Sequence, residues 1–320
     1  MASSTEFSLI RDYFSALTDR RDDVILGIGD DCALLQPPAG HILATSVDTL
    51  VSGVHFFADV DPFRLGHKAL AVNLSDLAAM GATPAWFTLA LTLPEANPQW
   101  LQAFSAGMAA LAKQHNIQLV GGDTTRGPLT ISIQVTGFCD RGNVLRRDAA
   151  RPGDKIFVTG SLGDAGTGLL IKQNQLATEN LSTEEQQFLI DRLELPTPRN
   201  ELVKELLPEV KSGIDISDGL LADLKHILTA SNVGAVINTE ALPLSSSLQK
   251  LKSEQAIQLA LTAGDDYELC FTVAAEKADA LTSRLGSKIQ CIGEITAEPE
   301  LIVLPEQSFK SHGYDHFNKT

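Results

Sequence analysis

The segment PFRLGHKALAVNLSDLAAMG, residues 62–81, decides how the chain is organised. Its apolar residues recur at helical spacing, and Gly81 is the expected C-cap, with Pro84 beyond it. Asn73 and Asp76 stand three positions apart, so they share one face of a largely apolar helix. A carboxylate in such a setting needs a partner. We interpret Asp76 as a candidate ligand, with an ordinary helix-surface residue as the alternative.

Strand and helix patterns alternate on both sides of this helix. Strands are predicted at residues 41–51, 87–93, 117–120, 129–139, 155–159, 233–238, 268–273, 288–292 and 301–304, and further helices at 6–17, 100–115, 165–173, 183–193, 199–207, 220–231 and 275–285. This alternation predicts an α/β or α+β architecture. The polar stretch 146–153 contains Pro152-Gly153. We place a domain boundary there, which gives an N-terminal domain over residues 1–145 and a C-terminal domain over residues 146–320.

The chain is strongly acidic. Its 320 residues carry a formal net charge of −15, and its pI is near 4.8. Such a balance argues against a nucleic-acid partner, which requires basic stripes on the protein. It also repels a nucleotide triphosphate unless cations lie between the two. Bound magnesium would resolve this conflict locally.

Nothing in the sequence indicates secretion or a membrane partner. No apolar run approaches the ~20 residues of a membrane helix, and the N-terminus lacks a basic-then-apolar signal pattern. The cysteines Cys32, Cys139, Cys270 and Cys291 include no C-x-x-C pair, which disfavours zinc. We expect these cysteines to be small buried hydrophobes and the protein to be cytoplasmic.

Aspartate recurs beside glycine, serine or threonine, next to short apolar runs. The occurrences are Gly29-Asp30-Asp31, Ser46-Val47-Asp48-Thr49, Asn73-Leu74-Ser75-Asp76, Gly121-Gly122-Asp123-Thr124-Thr125, Asp215-Ile216-Ser217-Asp218-Gly219 and Gly264-Asp265-Asp266. Carboxylates and small polar groups suit magnesium, which prefers oxygen ligands and keeps part of its water shell. Carboxylates sharing a pocket repel, by roughly 4 kcal/mol for a pair ~4 Å apart at an effective dielectric of about 20. We therefore predict several magnesium ions, and such ions most often hold phosphate.

Two of these phrases indicate metal sites from their local pattern. The strand period of two puts Ser46 and Asp48 on one face, and a buried carboxylate there is costly unless it is paired or bound to metal. A strand with one wet face is the alternative. Asp30 follows glycines that allow a close backbone approach, although a solvated turn would have the same pattern.

Two further phrases suggest phosphate binding. In residues 121–125, two glycines precede Asp123, and their N–H groups could cradle phosphate oxygens; a turn between two strands is the alternative. A helix begins after Asp218, and a helix N-terminus favours anions, although Asp218 or Ser217 would also serve as its N-cap. Asp215 has no capping role and is interpreted as a metal ligand.

A few other polar residues stand out. Arg146 and Arg147 could bind phosphate, or they could be a surface pair beside the domain boundary. His55 could contact substrate, with a structural histidine as the alternative. The glycine-rich turn in residues 155–164 fits neither G-x-x-x-x-G-K-[ST] nor G-x-G-x-x-G. No trio of nucleophile, base and acid is evident, so we predict no side chain in a chemical role.

Taken together, these phrases resemble the thiamine-monophosphate kinase family, whose superfamily includes aminoimidazole ribonucleotide synthetase. The resemblance lies in residues 27–33, 47–51, 71–82, 121–125, 214–220, 264–269 and 313–317, in order over nearly the whole chain. It implies ATP-dependent phosphorylation of thiamine monophosphate to thiamine diphosphate, by direct in-line transfer without a phosphoenzyme. It also implies an N-terminal α/β domain, a C-terminal α+β domain, and a homodimer whose N-terminal sheets pair into a barrel.

Carried over residue by residue, the resemblance gives each candidate a role. Magnesium ligands would be Asp30, Ser46, the carbonyl of Val47, Asp48, Asp76, Asp123, Asp215 and Asp218. ATP would be held by Gly121, Gly122, Asp123, Arg147 and Ser217. Thiamine monophosphate would contact His55, Asp265 and Phe317, the last through its aromatic face. The resemblance leaves a role for potassium open.

Three residues depart from the family pattern. Threonine is usual at Val47, glutamate is common at Asp265, and a second glycine is usual at Ala263. The carbonyl contact at Val47 survives the change, whereas the contact made by Asp265 would be one methylene shorter. Two other functions stay open. One is an ATP-using ligase or selenophosphate-type synthetase of the same superfamily, although no cysteine precedes Cys32. The other is an acidic metal-binding scaffold without activity.

Overall fold

The computed structural model of the protein describes residues 5–305, which divide into two compact units. The first unit contains the described residues up to Leu77 together with Ala82–Gly142. The second unit contains Ala78–Gly81 and the described residues from Asn143 onwards. This division lies close to the predicted boundary between residues 145 and 146.

The first unit is built on a four-stranded sheet. A small antiparallel pair, β1 (Val24–Leu26) and β2 (Leu34–Leu35), precedes the sheet strands β3 (His41–Val51), β4 (Thr83–Leu93), β5 (Gln118–Arg126) and β6 (Thr130–Asp140). Its helices are α1 (Glu6–Leu9), which continues into a π-helical turn at Ile10–Phe14, then α2 (Pro62–Ala79) and α3 (Pro98–His115). The sheet order is β3-β6-β4-β5, and only β4 and β5 run parallel.

Helix α2 packs closely on α3 through two glycines. A Cβ at Gly66 would lie 2.0 Å from the carbonyl oxygen of Phe104, and a Cβ at Gly107 would lie 1.9 Å from that of Phe63. Neither site leaves room for a methyl group, so the two helix backbones meet there. This contact fixes the position of α2, the helix that carries the predicted ligand Asp76.

The second unit is built on a six-stranded sheet. Its strands are β7 (Lys155–Thr159), β8 (Val210–Ile216), β9 (Gly234–Asn238), β10 (Glu268–Val273), β11 (Ile289–Thr296) and β12 (Leu301–Leu304). Its helices are α4 (Asp164–Lys172), α5 (Thr183–Glu194), α6 (Asn200–Leu206), α7 (Leu220–Ser231), α8 (Ser253–Thr262) and α9 (Ala275–Leu285). The order is β12-β9-β11-β7-β10-β8, with β12 parallel to β9 and every other pair antiparallel.

Apolar cores lie on both faces of this second sheet. Because strand side chains alternate between faces, Ile156 and Val158 of β7 share one core with Leu224 of α7. Phe157 of β7 joins the other core with Leu281 of α9. Every residue of β10 is buried as a result. The polar residues of β8 and β10 therefore lie between two apolar cores.

Many predicted elements are present with the predicted bounds, among them β3, α7, β10, α9 and β12. Helix α8 has no counterpart among the predicted elements. Strand β5 extends to Arg126, well beyond the short strand predicted at residues 117–120, because its parallel pairing with β4 continues from Gln118 to Arg126. Residues 121–125 therefore lie within a strand rather than in a loop.

Three broader expectations can be compared with the described residues. Neither large sheet closes on itself within residues 5–305, so the barrel formed across a dimer is not seen in this chain. No helix in the same range has the length and hydropathy that spanning a bilayer requires. The four cysteines all lie in this range and form no disulfide. Cys32 is exposed in a surface bend after β1, so the expectation that it is buried is wrong.

Candidate functional site

In the first unit, two predicted ligands meet directly. The Ser46 hydroxyl on β3 donates a hydrogen bond of 2.5 Å to a carboxylate oxygen of Asp76 on α2. Two residues further along β3, the N–H of Asp48 donates to the side-chain oxygen of Asn73 over 3.1 Å. The face shared by Ser46 and Asp48 is therefore turned toward the face shared by Asn73 and Asp76.

Asn73 is a structural partner to which the sequence assigned no role of its own. It is buried, and its side-chain nitrogen donates to the carbonyl of Ala69, one turn earlier, over 3.0 Å. That bond orients the amide so that its oxygen faces the backbone of Asp48. Asn73 thereby holds β3 against α2 beside the predicted ligands. Val47 carries its side chain on the opposite face of β3, where it is 63% exposed.

Asp30 and Asp123 are solvent-exposed and lie outside these contacts between β3 and α2. Asp30 follows β1, and one of its carboxylate oxygens accepts the N–H of Asp31 over 2.8 Å. Asp123 lies on β5 opposite Ala90 of β4. Hydrogen bonds therefore link Ser46 to Asp76 and Asp48 to Asn73, whereas Asp123 lies on β5, at the opposite edge of the sheet from β3.

The two glycines before Asp123 have different reasons to be glycine. Gly122 adopts φ +156°, and a Cβ there would lie 1.9 Å from the carbonyl oxygen of Leu89 on β4. A Cβ at Gly121 would meet only a methyl of Thr88, at 3.9 Å. Sheet pairing thus explains Gly122. Packing within the chain does not require a glycine at Gly121. The predicted contact between Gly121 and a ligand therefore stays a prediction.

His55 lies just after β3, with its ring oriented by the backbone. Its Nδ1 accepts the N–H of Val51 over 3.0 Å. A ring nitrogen that accepts carries no proton, so the neutral imidazole carries its proton on Nε2. His55 is therefore set up to donate a hydrogen bond from Nε2.

In the second unit, the predicted ligands lie between the end of β8 and the start of α7. Asp215 is the penultimate residue of β8 and is only 5% exposed. Ser217 and Asp218 follow in a half-buried turn. Gly219 then adopts φ +117° and precedes the first residue of α7. The turn thus places two carboxylates within four residues at one end of the sheet.

Asp223, on the first turn of α7, occupies the position predicted for an anion. Its Oδ2 accepts the N–H groups of Ser217, Asp218 and Gly219 at 3.0, 3.0 and 3.1 Å. Burial raises its pKa to about 7, although these N–H groups act in the opposite direction. The N-cap residue is Gly219, and no side chain caps the helix. The alternative that Asp218 or Ser217 caps α7 is therefore wrong.

The predicted substrate residue Asp265 lies against the same turn. Its N–H donates to the carbonyl of Ser217, and the N–H of Tyr267 donates to that of Ile216, both over 2.8 Å. Gly264 makes this approach possible, since a Cβ there would lie 2.4 Å from the carbonyl oxygen of Ser217. Asp265 and Tyr267 adopt φ of +67° and +49°. Residues other than glycine keep such strained backbone angles only where the surrounding contacts hold them in place. The two predicted segments of the second unit are thus joined through their backbones.

Asp266 lies between these two residues and is fully buried. Its carboxylate accepts the N–H of Gly163 at 2.7 Å and that of Ala165 at 3.3 Å, at the start of α4. Its carbonyl accepts Nη2 of Arg192 at 3.1 Å. Burial raises the pKa of Asp266 to about 8. The glycine-rich turn in residues 155–164 therefore binds a carboxylate of the chain itself.

Glu268 anchors the start of β10 through a buried ionic group. Its carboxylate accepts Thr159 Oγ1 at 2.5 Å, Arg192 Nη2 at 2.8 Å and Arg199 Nε at 2.6 Å, and also a bond from Arg199 Nη2. Four donors match the four acceptor sites of a carboxylate. Arg192 and Arg199 lie about 70 residues earlier in the chain, so no local pattern identifies them as partners. This group supports the segment that carries Asp265.

The predicted ATP contact Arg147 lies in a different turn of the second unit. Arg147 is exposed in the short 3-10 turn Arg147–Ala149, and its carbonyl accepts the hydroxyl of Ser231 over 2.7 Å. Its neighbour Arg146 forms an ion pair with Asp148 at 2.6 Å. Of the two arginines, Arg147 is thus the one whose guanidinium forms no ion pair within residues 5–305. Phe317 lies outside the described residues.

The donor chemistry of the predicted ligands fits magnesium. Within the described part of the chain, no group of three or more His, Cys, Asp or Glu side chains is placed to hold a metal ion by itself. The ligands are instead oxygen donors in small groups, such as Ser46 with Asp76 and Asp215 with Asp218. Magnesium commonly takes one or two carboxylates and completes its shell with water and substrate phosphate. The residues therefore fit an ion shared with a phosphorylated ligand.

Most of the chain matches two families of known domains. Residues 29–139 match the family described as "AIR synthase related protein, N-terminal domain". Residues 151–304 match the family described as "AIR synthase related protein, C-terminal domain". Thiamine-monophosphate kinase of Salmonella typhimurium is 47% identical, and that of Escherichia coli K12 is 48% identical, over 320 residues and 98% of each chain.

Two solved structures are similar over most of their length. The crystal structure of thiamine-monophosphate kinase from Stenotrophomonas maltophilia has a TM-score of 0.85 and 47% identity, covering 96% of this chain and 98% of that one. A structure described as AaThiL complexed with AMPPCP and TMP has a TM-score of 0.77 and 31% identity, covering 88% of this chain and 89% of that one.

Proposed function

The chain belongs to the thiamine-monophosphate kinase family, and we propose that it transfers the terminal phosphoryl group of ATP to thiamine monophosphate, giving thiamine diphosphate and ADP. One observation carries the proposal: 47% identity to a curated enzyme of that name over 98% of both chains. A similar structure is described as a complex with AMPPCP and TMP, which supports ATP and thiamine monophosphate as the two substrates.

Magnesium ions are proposed to mediate between this acidic chain and its anionic substrates. When bound, magnesium neutralises phosphate charge and bridges phosphate oxygens. The proposed ligands are Asp30, Ser46, the carbonyl oxygen of Val47, Asp48, Asp76, Asp123, Asp215 and Asp218. Ser46 has a second task, because its hydroxyl donates to Asp76 and so orients that carboxylate.

The remaining proposed contacts hold the substrates. ATP is assigned to Gly121, Gly122, Asp123, Arg147 and Ser217, and thiamine monophosphate to His55, Asp265 and Phe317. The exposed guanidinium of Arg147 offers paired N–H donors that match a phosphate. His55 offers its Nε2–H to a phosphate oxygen, since its Nδ1 is occupied by the N–H of Val51. The chain positions the reactants for direct in-line transfer, and none of its side chains acts as a nucleophile.

A homodimer is part of the proposal. Strand β3 lies at the edge of its sheet, and its Leu43 and Val47 side chains are 52% and 63% exposed. An open edge that displays apolar side chains is a surface suited to pairing. Two such edges related by a two-fold axis would join two sheets into a barrel. Light scattering should then give twice the chain mass of 34.3 kDa. The cytoplasmic location stays a prediction from the sequence.

The proposed activity is tested by product analysis. Purified protein is incubated with magnesium-ATP and thiamine monophosphate, and thiamine diphosphate and ADP are quantified together. We expect the two products in equal amounts, and none after a chelator removes divalent cations. A panel of other phosphorylated vitamin precursors and an aminoimidazole precursor serves as the comparison. Turnover of one of these acceptors, with none of thiamine monophosphate, would refute the proposal.

A further inference from the structure

The carboxylate of Asp223 holds the turn between β8 and α7 from within the unit. Its Oδ2 accepts the N–H groups of three successive residues, Ser217, Asp218 and Gly219, at 3.0, 3.0 and 3.1 Å. In return, the N–H of Asp223 donates to the carbonyl of Gly219 over 3.0 Å. Successive N–H groups that converge in this way form an anion-binding concavity. Here the bound anion is a side chain of the protein itself.

The filled concavity decides what the turn can bind. Asp223 is 3% exposed, so a phosphate would have to displace a buried carboxylate to reach these N–H groups. Two like charges at one site also repel. The turn can still offer the carboxylates of Asp215 and Asp218, which suit a hard cation. The amides of this turn are thus occupied within the protein, which leaves the two carboxylates for a cation and the hydroxyl of Ser217 for the proposed contact with ATP.

We propose that Asp223 is a positioning residue for the magnesium-binding segment, acting through the backbone of residues 217–219 without touching metal or substrate. The inference rests on the proposed function for the roles of Asp215 and Asp218. Three fixed N–H groups restrict the backbone angles of the turn, and so restrict the directions in which the Asp218 side chain can extend. A preset ligand loses less conformational freedom when the ion binds.

The same turn extends this constraint toward the proposed substrate residue. The carbonyl of Ser217 accepts the N–H of Asp265 over 2.8 Å. A Cβ at Gly264 would collide with that carbonyl oxygen at 2.4 Å, and a Cβ at Gly219 would collide with the backbone of Thr262 at 2.8 Å. Movement of the turn therefore moves the segment that carries Asp265. Loss of Asp223 is expected to raise KM for thiamine monophosphate as well as to weaken metal binding.

The test compares Asp223→Ala and Asp223→Asn with a matched control, Glu185→Ala. Glu185 also has a carboxylate that accepts a backbone N–H at a helix start, that of Ser182 over 2.9 Å, but it lies on α5 outside the proposed site. Manganese binding is measured by electron paramagnetic resonance, with a β,γ-methylene analogue of ATP present. Hydrogen exchange of the peptide spanning residues 215–220 is measured in the metal-free protein.

We expect Asp223→Ala to bind manganese about tenfold more weakly, the size of effect common for residues that orient metal ligands. Exchange in residues 217–219 should rise even without metal. Asn keeps an acceptor oxygen at this position, so Asp223→Asn should restore most of the protection and affinity. Glu185→Ala should match the wild type in both measurements.

Manganese affinity in folded Asp223→Ala equal to that of the wild type would overturn the inference. Should that variant fail to fold, Asp223→Glu keeps the charge but displaces the carboxylate by one methylene, and unchanged affinity there would overturn it equally. These outcomes differ from the result that would refute the proposed function, which is that the wild-type protein itself forms no thiamine diphosphate.

Discussion

Replacing Glu268 with glutamine is expected to destabilise the second unit severely. The Glu268 side chain is fully buried and lies between Arg192 and Arg199, whose side chains are 12% and 24% exposed. Glutamine would remove the negative charge and put an N–H₂ group where one oxygen accepts N–H donors. Two largely buried guanidinium groups would then share no counter-charge at this position.

The size of the effect follows from the burial of the group. Breaking a buried ion pair by removing one partner costs about 3–5 kcal/mol, because an uncompensated charge stays inside. The same range includes the cost of losing the hydrogen bond from Thr159 Oγ1 to Glu268. The two costs are not added, because the groups belong to one hydrogen-bonded network. A small domain has a denaturant dependence of about 2 kcal/mol per molar urea. The unfolding midpoint of the second unit should therefore fall by about 2 M.

Urea unfolding followed by circular dichroism measures this change, with Glu209→Gln as the control. Glu209 also pairs with an arginine, Arg284, at 2.8 Å, but its side chain is 23% exposed and that of Arg284 is 46% exposed. Exposed pairs contribute at most about 1 kcal/mol, so the control midpoint should move by less than about 0.5 M. Equal midpoints for the two variants would refute the argument that burial makes the Glu268 group important.

Three further predictions concern other parts of the fold. The pKa of Asp266 is about 8 in the folded chain and 3.8 ordinarily, so between these values the folded state keeps a proton that the unfolded state has lost. Stability should therefore fall as pH rises from about 4 to about 8, by up to about 1.4 kcal/mol per pH unit, and Asp266→Asn should flatten that slope in urea titrations. Gly107→Ala puts a methyl group 1.9 Å from the carbonyl oxygen of Phe63 and should cost about 1–3 kcal/mol in thermal unfolding, whereas Gly142→Ala, with open space around it, should be close to neutral. Asp48→Asn should lower turnover at limiting magnesium by at least about tenfold with the circular dichroism spectrum unchanged, and normal turnover would mean that Asp48 is not a ligand.

The parts of the site that the sequence predicted depend on local periodicity. The two-residue period of β3 puts Ser46 and Asp48 on one face, and the helical spacing of α2 puts Asn73 and Asp76 on another. Each pattern extends over only a few residues and needs no knowledge of the rest of the chain. The hydrogen bond between Ser46 and Asp76 then follows from packing these two faces together.

The parts that the sequence did not predict depend on contacts between distant segments. In the sequence, Asp223 is an ordinary acidic residue in the first turn of a helix. Its hydrogen bonds with the N–H groups of residues 217–219 are visible only in the folded structure. Glu268 is separated by about 70 residues from its arginine partners. The sequence predicts too short a strand β5, because glycines usually interrupt strands, whereas here Gly122 lets β5 run close to β4.

Binding of an ATP analogue with and without divalent cations tests the central claim most directly. The claim is that an acidic chain of net charge −15 binds anionic substrates through cations held by its aspartates. Calorimetric titration of the β,γ-methylene analogue into wild-type protein should give measurable binding with magnesium and none with a chelator. Equally tight binding in the chelator would contradict the claim, because the chain would then attract the phosphates without metal ions.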